Sequence, residues 1–391
     1  MSGQLPVVHG TVAPGYEPVA QEFAAVAAVE PGHGAQLAAY EHGERVVDLW
    51  TGQDLEADSL LGVYSSTKGA AHLVLALLVR EGTVELDREV AHYWPEFAAH
   101  GKDGITVRTL LAHRAGLVGD AEGLDPDQLA DDRLMAARTA GQRPFWRPGS
   151  AFGYHALNIG ALTGELVLRT TGKTMQEFYE ARVRAPYGLD FWMGLPEEQE
   201  HRVLDIHPMY PTPEQQAELD AAASAPDSLS GIAFNRHHPR NPPIDALVNS
   251  RAVRAAGPAS YGGVASARGL ARCYAAVIGE VDGAEPLLDP GTLAEFGQLH
   301  STGTDLVSRQ YKEFALGFQA YGATIPVLGQ GSIGHSGAAG SLGLADPRAG
   351  LALGYTRRRY GFPGGMGPDA VRLARAVRLS RDARVREGVT G

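Results

Sequence analysis

The chain has 391 residues, 44% of them hydrophobic and 20% charged, which is ordinary for a globular enzyme with room for two sub-domains. The net charge is −11. Because the sequence lacks the clusters of Lys and Arg that a duplex-binding surface needs, we expect no nucleic-acid partner. The single cysteine, Cys273, excludes an intramolecular disulfide.

The sequence shows no sign of export or membrane insertion. Its N-terminus lacks a basic segment followed by an apolar one, which a secretory signal requires. The longest apolar run, Leu73 to Val79, is far too short to span a bilayer. We therefore expect a soluble, cytoplasmic protein with no membrane partner.

The N-terminal part combines helix and hairpin patterns. A helix is predicted over Val19 to Val29. Strands over Ala35 to Tyr40 and Arg45 to Trp50 flank a turn that Gly43 can adopt, which indicates a hairpin. A longer helix, Thr67 to Glu81, is apolar on nearly every face, so we expect it to be buried on all sides.

After about residue 86 the pattern becomes mainly helical. Helices are predicted over Val107 to His113, Ala156 to Thr170 and Thr174 to Val183, with long Gly- and Pro-rich loops between them. The stretch from Pro196 to Pro243 is rich in Pro, Glu, Asp and Ala. We interpret it as a segment that lines or covers a cleft, or is mobile.

Strand character returns after about residue 258. A helix that begins near Ser266, a plausible N-cap, carries Cys273 as a core residue. Short strands are predicted over Phe314 to Gln319, Gly334 to Ser336, Ser341 to Ala345 and Gly350 to Tyr355. The run Arg357-Arg358-Arg359 is interpreted as a solvated turn, and a helix over Pro368 to Leu379 closes the fold.

Strands near both ends of the chain, with helices between them, suggest that the two ends build one sheet together. We predict an α/β (α+β) domain made of residues 1–85 together with 255–391. A mostly helical domain, residues 86–254, is inserted into it.

Ser65 and Lys68 stand three residues apart at the start of the buried helix. On a helix this spacing puts both side chains on one face, about a turn apart. A serine hydroxyl becomes a nucleophile when a base takes its proton, and a lysine whose pKa is lowered by burial can be that base. The pair therefore predicts a serine hydrolase or acyl-transfer enzyme.

Two further segments strengthen this hypothesis. A turn, Trp146 to Gly153, brings Tyr154 to the start of a helix, where a tyrosinate beside Lys68 could act as the base for Ser65 and then protonate the leaving group. The segment Gly334 to Gly340 is rich in small residues, which allow close approach of backbone to a ligand. A backbone N–H in this segment, together with that of Ser65, could hold a tetrahedral oxyanion.

The ordered set Ser65-x-x-Lys68, Tyr154 and His335-Ser336-Gly337 resembles the class C β-lactamase and penicillin-binding-protein superfamily. The similarity is greatest to its esterase branch, the bacterial family VIII carboxylesterases. It runs from about residue 20 to the C-terminus and includes three supporting segments: Val47 to Trp50, Ile105 to Leu117 and Gly262 to Ser266. The resemblance implies a serine β-lactamase-like fold: an antiparallel sheet flanked by helices, an inserted helical domain, and a site in the cleft between them.

The resemblance also implies a role for each matching residue. Ser65 is the nucleophile that becomes acylated, and Lys68 and Tyr154 share the general-base and general-acid work. The other implied site residues are His335, Ser336, Gly337 and Ala338. The N–H groups of Ser65 and Ala338 form the oxyanion hole, and His335 and Ser336 line the third wall. No metal or organic cofactor is implied.

Two departures from the β-lactamase pattern bear on the substrate. Ala156 stands where these enzymes have the Asn of Tyr-x-Asn, and Asn158 is better interpreted as a structural helix residue. His335 stands where they have the Lys of Lys-Thr-Gly. The resemblance implies that the missing Asn and Lys help to recognise the amide and carboxylate of a β-lactam, so neutral esters fit this site better.

The preferred hypothesis is therefore an esterase that acts on neutral small-molecule esters through an acyl-enzyme. The same residues would serve an acyltransferase or ester-to-amide transacylase, and a β-lactamase, a D-amino acid peptidase or a non-catalytic acyl-binding protein is a weaker alternative. The sequence of Gly334 to Ala338 is close to the G-x-S-x-G pattern of the nucleophile elbow in α/β-hydrolases. Strands are predicted on both sides of it, so we do not expect Ser336 to be the nucleophile.

Overall fold

The computed structural model describes residues 6–30 and 32–388. The strands in these residues are β1 His9–Val12, β2 Ala35–Glu41, β3 Glu44–Thr51, β4 Leu61–Gly62, β5 Phe191–Trp192, β6 Val264–Ala265, β7 Ser301–Thr304, β8 Tyr311–Phe314, β9 Gln319–Ala320, β10 Ile333–Ser336, β11 Leu342–Asp346 and β12 Leu351–Arg357. The α-helices are α1 Glu17–Ala27, α2 Thr67–Arg80, α3 Val90–Tyr93, α4 Val107–Leu111, α5 Asp132–Ala140, α6 Ile159–Thr171, α7 Met175–Tyr179, α8 Pro213–Ala222, α9 Leu229–Ala233, α10 Ile244–Asn249, α11 Arg251–Ala256, α12 Ala267–Ile278, α13 Pro290–Phe296 and α14 Pro368–Arg386. No helix in the described ranges is both long and apolar enough to cross a bilayer.

Strands from both ends of the chain form one large antiparallel sheet. Within the described residues it has nine strands in the order β1-β3-β2-β12-β11-β10-β9-β8-β7. The two halves join where β2 pairs with β12, from Ala35 opposite Arg357 to Glu41 opposite Leu351. This confirms the prediction that the two ends build one sheet; the domain boundaries themselves stay a prediction.

The two faces of the sheet are covered by different helices. Successive residues of a strand point to opposite faces. On β12, Leu351, Leu353 and Tyr355 belong to the core beneath α1 and α14, whereas Ala352 belongs to the larger core that contains α12 and α2. The sheet is therefore buried on both sides at its centre.

Glycines let α12 approach the sheet closely. A Cβ on Gly354 would lie 2.2 Å from the Ala267 carbonyl oxygen, and one on Gly343 would lie 2.5 Å from the ring of Tyr274. Any side chain at these positions would therefore push the helix away. The same helix contains Cys273, which is fully buried, as predicted.

Helix α2 runs through the centre of the largest core. Its residues from Thr67 to Leu78 are all buried, which confirms the prediction from their composition. The helix packs against α6, α7, α13 and strand β10. Its N-terminus therefore lies beside the sheet, at the boundary with the helical part of the chain.

Two local predictions were wrong. Phe314 to Gln319 is not a continuous strand, because residues 315–318 form the turn between β8 and β9, with Gly317 at φ +76°. Arg357 is not a solvated turn residue: it ends β12, its side chain is 7% exposed, and it makes ion pairs with Glu30 and Asp369. The closing helix is also longer than predicted and ends at Arg386.

Candidate active site

Ser65 lies in a single 3-10 turn, Tyr64–Ser66, that leads directly into α2. Tyr64 has φ +47°, a left-handed conformation that is rare for a bulky residue and costs free energy. The Ser66 hydroxyl donates to the His335 carbonyl oxygen at 3.0 Å, which fixes the turn against β10. Ser65 itself is only half-buried, so its hydroxyl can be reached from the cleft.

Lys68 lies one helical turn after Ser65 and is 0% exposed. Its Nζ is 3.1 Å from the Ser65 Oγ, and it donates to the carbonyl oxygens of Ala156 at 2.6 Å and Ser260 at 2.8 Å. Burial holds the pKa of Lys68 well below its usual range. A neutral amine has two N–H groups and one lone pair, so the two carbonyls can take both hydrogens and leave the lone pair for Ser65.

Tyr154 lies on the loop before α6, and its ring is held between aromatic neighbours. It stacks on Phe314 with ring centres 5.8 Å apart and on His335 with centres 6.0 Å apart. Lys68 Nζ lies 4.9 Å from the centre of the same ring. The structure therefore brings Ser65, Lys68, Tyr154 and His335 together.

The phenol of Tyr154 is strongly biased toward its protonated form. Burial raises the pKa of Tyr154 well above its usual range, and the negative charge of Asp305 raises it further. A hydrogen bond with the Ser65 hydroxyl acts in the opposite direction but does not offset burial. The phenol therefore keeps its proton at neutral pH.

His113 fixes the backbone on both sides of Tyr154. The His113 carbonyl accepts from the Gly153 N–H at 3.0 Å, and its Nδ1 accepts from the His155 N–H at 3.2 Å. The His113 ring packs edge-on against Tyr154, with centres 5.3 Å apart. His113 has φ +58° and is fully buried, and burial lowers its pKa well below the usual range, so it stays neutral.

His335 is fully buried on β10. Its Nδ1 lies 2.9 Å from the Ser336 carbonyl oxygen, so this nitrogen carries the hydrogen. Burial holds the pKa of His335 well below its usual range. His335 is therefore uncharged at neutral pH, unlike the lysine of β-lactamases that it replaces.

The residues after His335 form the rim of the site. Both the N–H and the hydroxyl of Ser336 donate to Gln319 Oε1, at 3.0 and 2.9 Å. The Gly337 N–H donates to the Ser341 carbonyl oxygen at 2.8 Å. By contrast, the N–H groups of Ser65 and Ala338 donate to no acceptor among the described residues, so both are available to a ligand.

A cavity of about 540 Å³ adjoins the site. Its lining residues are Leu157, Phe234, Arg236, Asn241, Pro242, Pro243, Ile244, Leu247 and Tyr360. Leu157 directly follows Ala156, whose carbonyl binds Lys68. The Tyr360 ring packs edge-on against Tyr64, with centres 6.0 Å apart. Two of its lining residues are thus neighbours of residues that surround Ser65 and Lys68, and most of its wall comes from the segment Pro196 to Pro243, which was expected to line or cover a cleft.

Several contributors to the site were not predicted from the sequence. Ala156 and Ser260 contribute backbone carbonyl groups, and the type of residue at a position does not reveal such a contact. Phe314 was assigned to a strand without a role. His113 lies in the segment Ile105 to Leu117, whose family resemblance was the only available indication. In the described ranges, no three His, Cys, Asp or Glu side chains are grouped so that they could hold a metal ion.

Asn158 has a structural position, as expected. Its Nδ2 donates to the Leu117 carbonyl oxygen at 2.6 Å, and it lies buried at the N-terminus of α6. Ser336 is followed by β11 and not by a helix. The arrangement around Ser336 therefore lacks the strand–turn–helix of an α/β-hydrolase elbow.

The fold is that of a serine hydrolase with a β-lactamase-like fold. The model of the family described as Beta-lactamase matches residues 23–377, and the chain belongs to this family. Esterase/beta-lactamase LipL of Mycobacterium tuberculosis is 31% identical over 370 residues, which cover 91% of this chain and 84% of LipL.

Solved structures agree with this assignment. EstA from Arthrobacter nitroguajacolicus Rue61a has 40% identity and a TM-score of 0.88, over 95% of this chain and 98% of EstA. A family VIII carboxylesterase has 32% identity and a TM-score of 0.85, over 96% of this chain and 100% of its own. The predicted fold class and the resemblance to the esterase branch are thereby confirmed.

Proposed function

We propose that the protein is a serine esterase that cleaves neutral small-molecule esters through an acyl-enzyme on Ser65. The observation that carries the proposal is the environment of Lys68. Its amine is buried, faces Ser65 at 3.1 Å, and has both of its N–H groups directed to carbonyl oxygens. Such an amine accepts a proton from the serine hydroxyl, which is the step that a nucleophilic serine requires.

In the proposed mechanism Lys68 is the base and Tyr154 the acid. The lowered pKa of Lys68 and the raised pKa of Tyr154 both favour this division of labour over a tyrosinate base. Lys68 takes the proton of Ser65 as the oxygen attacks the ester carbonyl. Tyr154 gives its proton to the departing alcohol, and the proton on Lys68 then restores the phenol.

The developing oxyanion would lie between the N–H groups of Ser65 and Ala338. Donors that are fixed in advance at this position stabilise the tetrahedral intermediate more than the ground-state carbonyl. Water then attacks the acyl-Ser65 ester, with the same pair of side chains moving its proton. Release of the acid regenerates the free serine.

The preference for neutral esters rests on the third wall of the site. Because His335 is uncharged and Ala156 offers only its backbone, neither position provides a charge or an amide for a β-lactam carboxylate. Binding of an anionic, peptide-like substrate therefore lacks the contacts that would orient it. We expect hydrolysis of cephalosporins to be weak or absent.

The test is turnover of para-nitrophenyl acetate and butyrate, with mass spectrometry of the protein during turnover. We expect rapid release of nitrophenol and an acyl adduct on the peptide that contains Ser65. A Ser65→Ala variant should show neither. Full activity in this variant would refute the mechanism, and an amide product in the presence of added amines would make the enzyme a transacylase.

A further inference from the structure

The cavity near Ser65 has a mainly apolar lining that includes two polar side chains, Arg236 and Asn241. The side chains of Leu157, Ile244, Leu247 and Tyr360 form the apolar part. Its volume of about 540 Å³ is within the range of pockets for small ligands and far exceeds what an acetyl group needs. A larger acyl or alcohol group would bury its apolar surface there.

The position of the cavity decides which half of an ester it receives. The leaving alcohol must lie beside Tyr154, whose ring is enclosed by Phe314, His335 and His113. None of these residues is among those that line the cavity. The cavity instead includes Leu157, which follows Ala156, and Tyr360, which packs against Tyr64 beside the nucleophile. This favours the acyl group, which is bonded to Ser65 itself, as its occupant.

The two polar side chains of the cavity lining, Asn241 and Arg236, offer hydrogen-bond donors. The Asn241 Oδ1 already accepts from Asn235 Nδ2 at 3.0 Å, so its own NH₂ group is left to donate. The Arg236 guanidinium lies over the Phe234 ring and donates to the Ser230 hydroxyl at 2.8 Å. No carboxylate of the described chain lies within ion-pair distance of Arg236, so its other N–H groups face solvent and the cavity.

The charges around the cavity differ from one part of its wall to another. Burial raises the pKa values of Tyr64 and Tyr360, and the negative charge of the nearby Asp245 raises them further. Arg236 brings a positive charge to the same lining. An electron-rich oxygen of a ligand is therefore attracted to Arg236 and repelled from the part of the wall formed by Tyr360.

From these observations we propose that the cavity is the acyl-binding site and selects bulky acyl groups with a hydrogen-bond-accepting oxygen at their far end. This inference rests on the proposed esterase function. The common chemistry is an acceptor oxygen, which a ketone or a carboxylate can supply. Arg236 and Asn241 are the residues that would recognise it, with the body of the acyl group held among Leu157, Ile244 and Tyr360.

The test compares three para-nitrophenyl esters of phenylpropanoic acid that differ only in the ring substituent opposite the acyl chain: methyl, acetyl or carboxylate. We expect kcat/KM to be about tenfold higher for an oxygen-bearing substituent than for methyl, since a donated hydrogen bond is lost with the methyl. If both the acetyl and the carboxylate ester are preferred over the methyl ester, the site recognises any acceptor oxygen. If only the carboxylate ester is preferred, the site recognises an anion. Equal or better turnover of the methyl compound would overturn the proposal.

Arg236→Gln should remove most of this discrimination, measured as the ratio of kcat/KM for the oxygen-bearing ester to kcat/KM for the methyl ester. Arg240→Gln is the matched control, because Arg240 lies in the same segment, pairs with Asp125 and does not line the cavity. Discrimination that survives in Arg236→Gln, or disappears equally in Arg240→Gln, would contradict the assignment. A complete lack of acetate turnover by the unmodified enzyme would instead reject the esterase function itself.

A second variant tests which half of the ester enters the cavity. Ile244→Trp narrows the cavity at a half-buried position. We expect it to slow the phenylpropanoate esters about tenfold more than it slows acetate esters of bulky alcohols. The opposite pattern, with bulky alcohols slowed and bulky acyl groups spared, would show that the cavity is the alcohol site.

Discussion

The two sides of the candidate active site are built in different ways. Ser65 lies in the 3-10 turn that leads into α2 and Lys68 lies in the first turn of α2, so one continuous stretch of helical backbone fixes their separation. Tyr154 lies on an irregular loop and is placed by residues that are distant in sequence, chiefly His113 and Phe314. The side formed by Ser65 and Lys68 is local in sequence, so its geometry should tolerate substitutions elsewhere in the chain. The side formed by Tyr154 is non-local, because its geometry depends on packing from several parts of the chain.

The largest expected effect falls on the local side. Lys68→Met should reduce kcat/KM for para-nitrophenyl acetate by about a thousandfold or more, because no other buried group can take the Ser65 proton. Steady-state kinetics check this. Activity within tenfold of the original would show that another base acts on Ser65.

The same variant should be more stable than the original enzyme at neutral pH. Since burial lowers the pKa of Lys68, the unfolded chain binds a proton that the folded chain does not, so the free energy of unfolding rises with pH up to the ordinary lysine pKa. Met removes that dependence and needs no hydrogen bond. Urea unfolding between about pH 6 and 9 should show a smaller slope for Lys68→Met; an equal slope would mean that Lys68 is charged when folded.

On the non-local side, Tyr154→Phe should slow hydrolysis of alkyl esters by about a hundredfold, since an alkoxide leaves poorly without a proton donor. Para-nitrophenolate leaves without protonation, so the rate of hydrolysis of para-nitrophenyl esters should fall much less. Comparing ethyl and para-nitrophenyl butyrate separates the two cases. Equal losses for both esters would favour Tyr154 as the base for Ser65.

Variants at His113 test whether the position of Tyr154 depends on contacts from a distant part of the chain. His113→Leu should lower kcat about tenfold by freeing the backbone on either side of Tyr154. His113→Asn should retain most activity, because Asn tolerates the left-handed backbone and its amide oxygen can accept the same N–H. Both variants should still form the acyl adduct. If Asn were as damaging as Leu, the hydrogen bond to His155 would not be what positions Tyr154.

The smallest expected effect is a change in pH profile at Asp305. Its carboxylate accepts the N–H groups of Val307 and Ser308, and its charge raises the pKa of Tyr154. Asp305→Asn keeps an acceptor oxygen but removes the charge, so the pKa of Tyr154 falls and the alkaline loss of activity begins at lower pH. The pH dependence of kcat for an alkyl ester measures this, and an unchanged or higher alkaline limit would contradict it.

The contrast between local and non-local construction also explains what the sequence could predict. The hairpin before Thr51, the buried helix α2 and the N-cap at Ser266 depend on residues close together in sequence, and each lies where the pattern placed it. The apolar stretch after Phe314 has the composition of a strand, but Gly317 turns it. Nothing near Arg357 in sequence reveals Glu30, the distant carboxylate that draws it into the interior.

In the candidate site, too, the sequence predicts what depends on neighbouring residues and misses what depends on distant ones. The spacing of Ser65 and Lys68 identifies the pair, but not the carbonyls of Ala156 and Ser260 that surround the amine. Those contacts arise when α2, the loop before α6 and the segment before β6 pack together. A sequence pattern records the type of side chain at a position, whereas these partners are backbone atoms common to all residues.

The pairing of β2 with β12 has a consequence for the order of events during synthesis. The ribosome makes β2 and the Ser65 turn well before β12 and the His335 carbonyl that anchors Ser66. Until β12 emerges, β2 presents an unpaired edge, at which nascent chains can associate wrongly. A growing chain therefore cannot fix the Ser65 turn in place before β10 has emerged, and we expect no turnover from chains that lack the strands from β10 to β12.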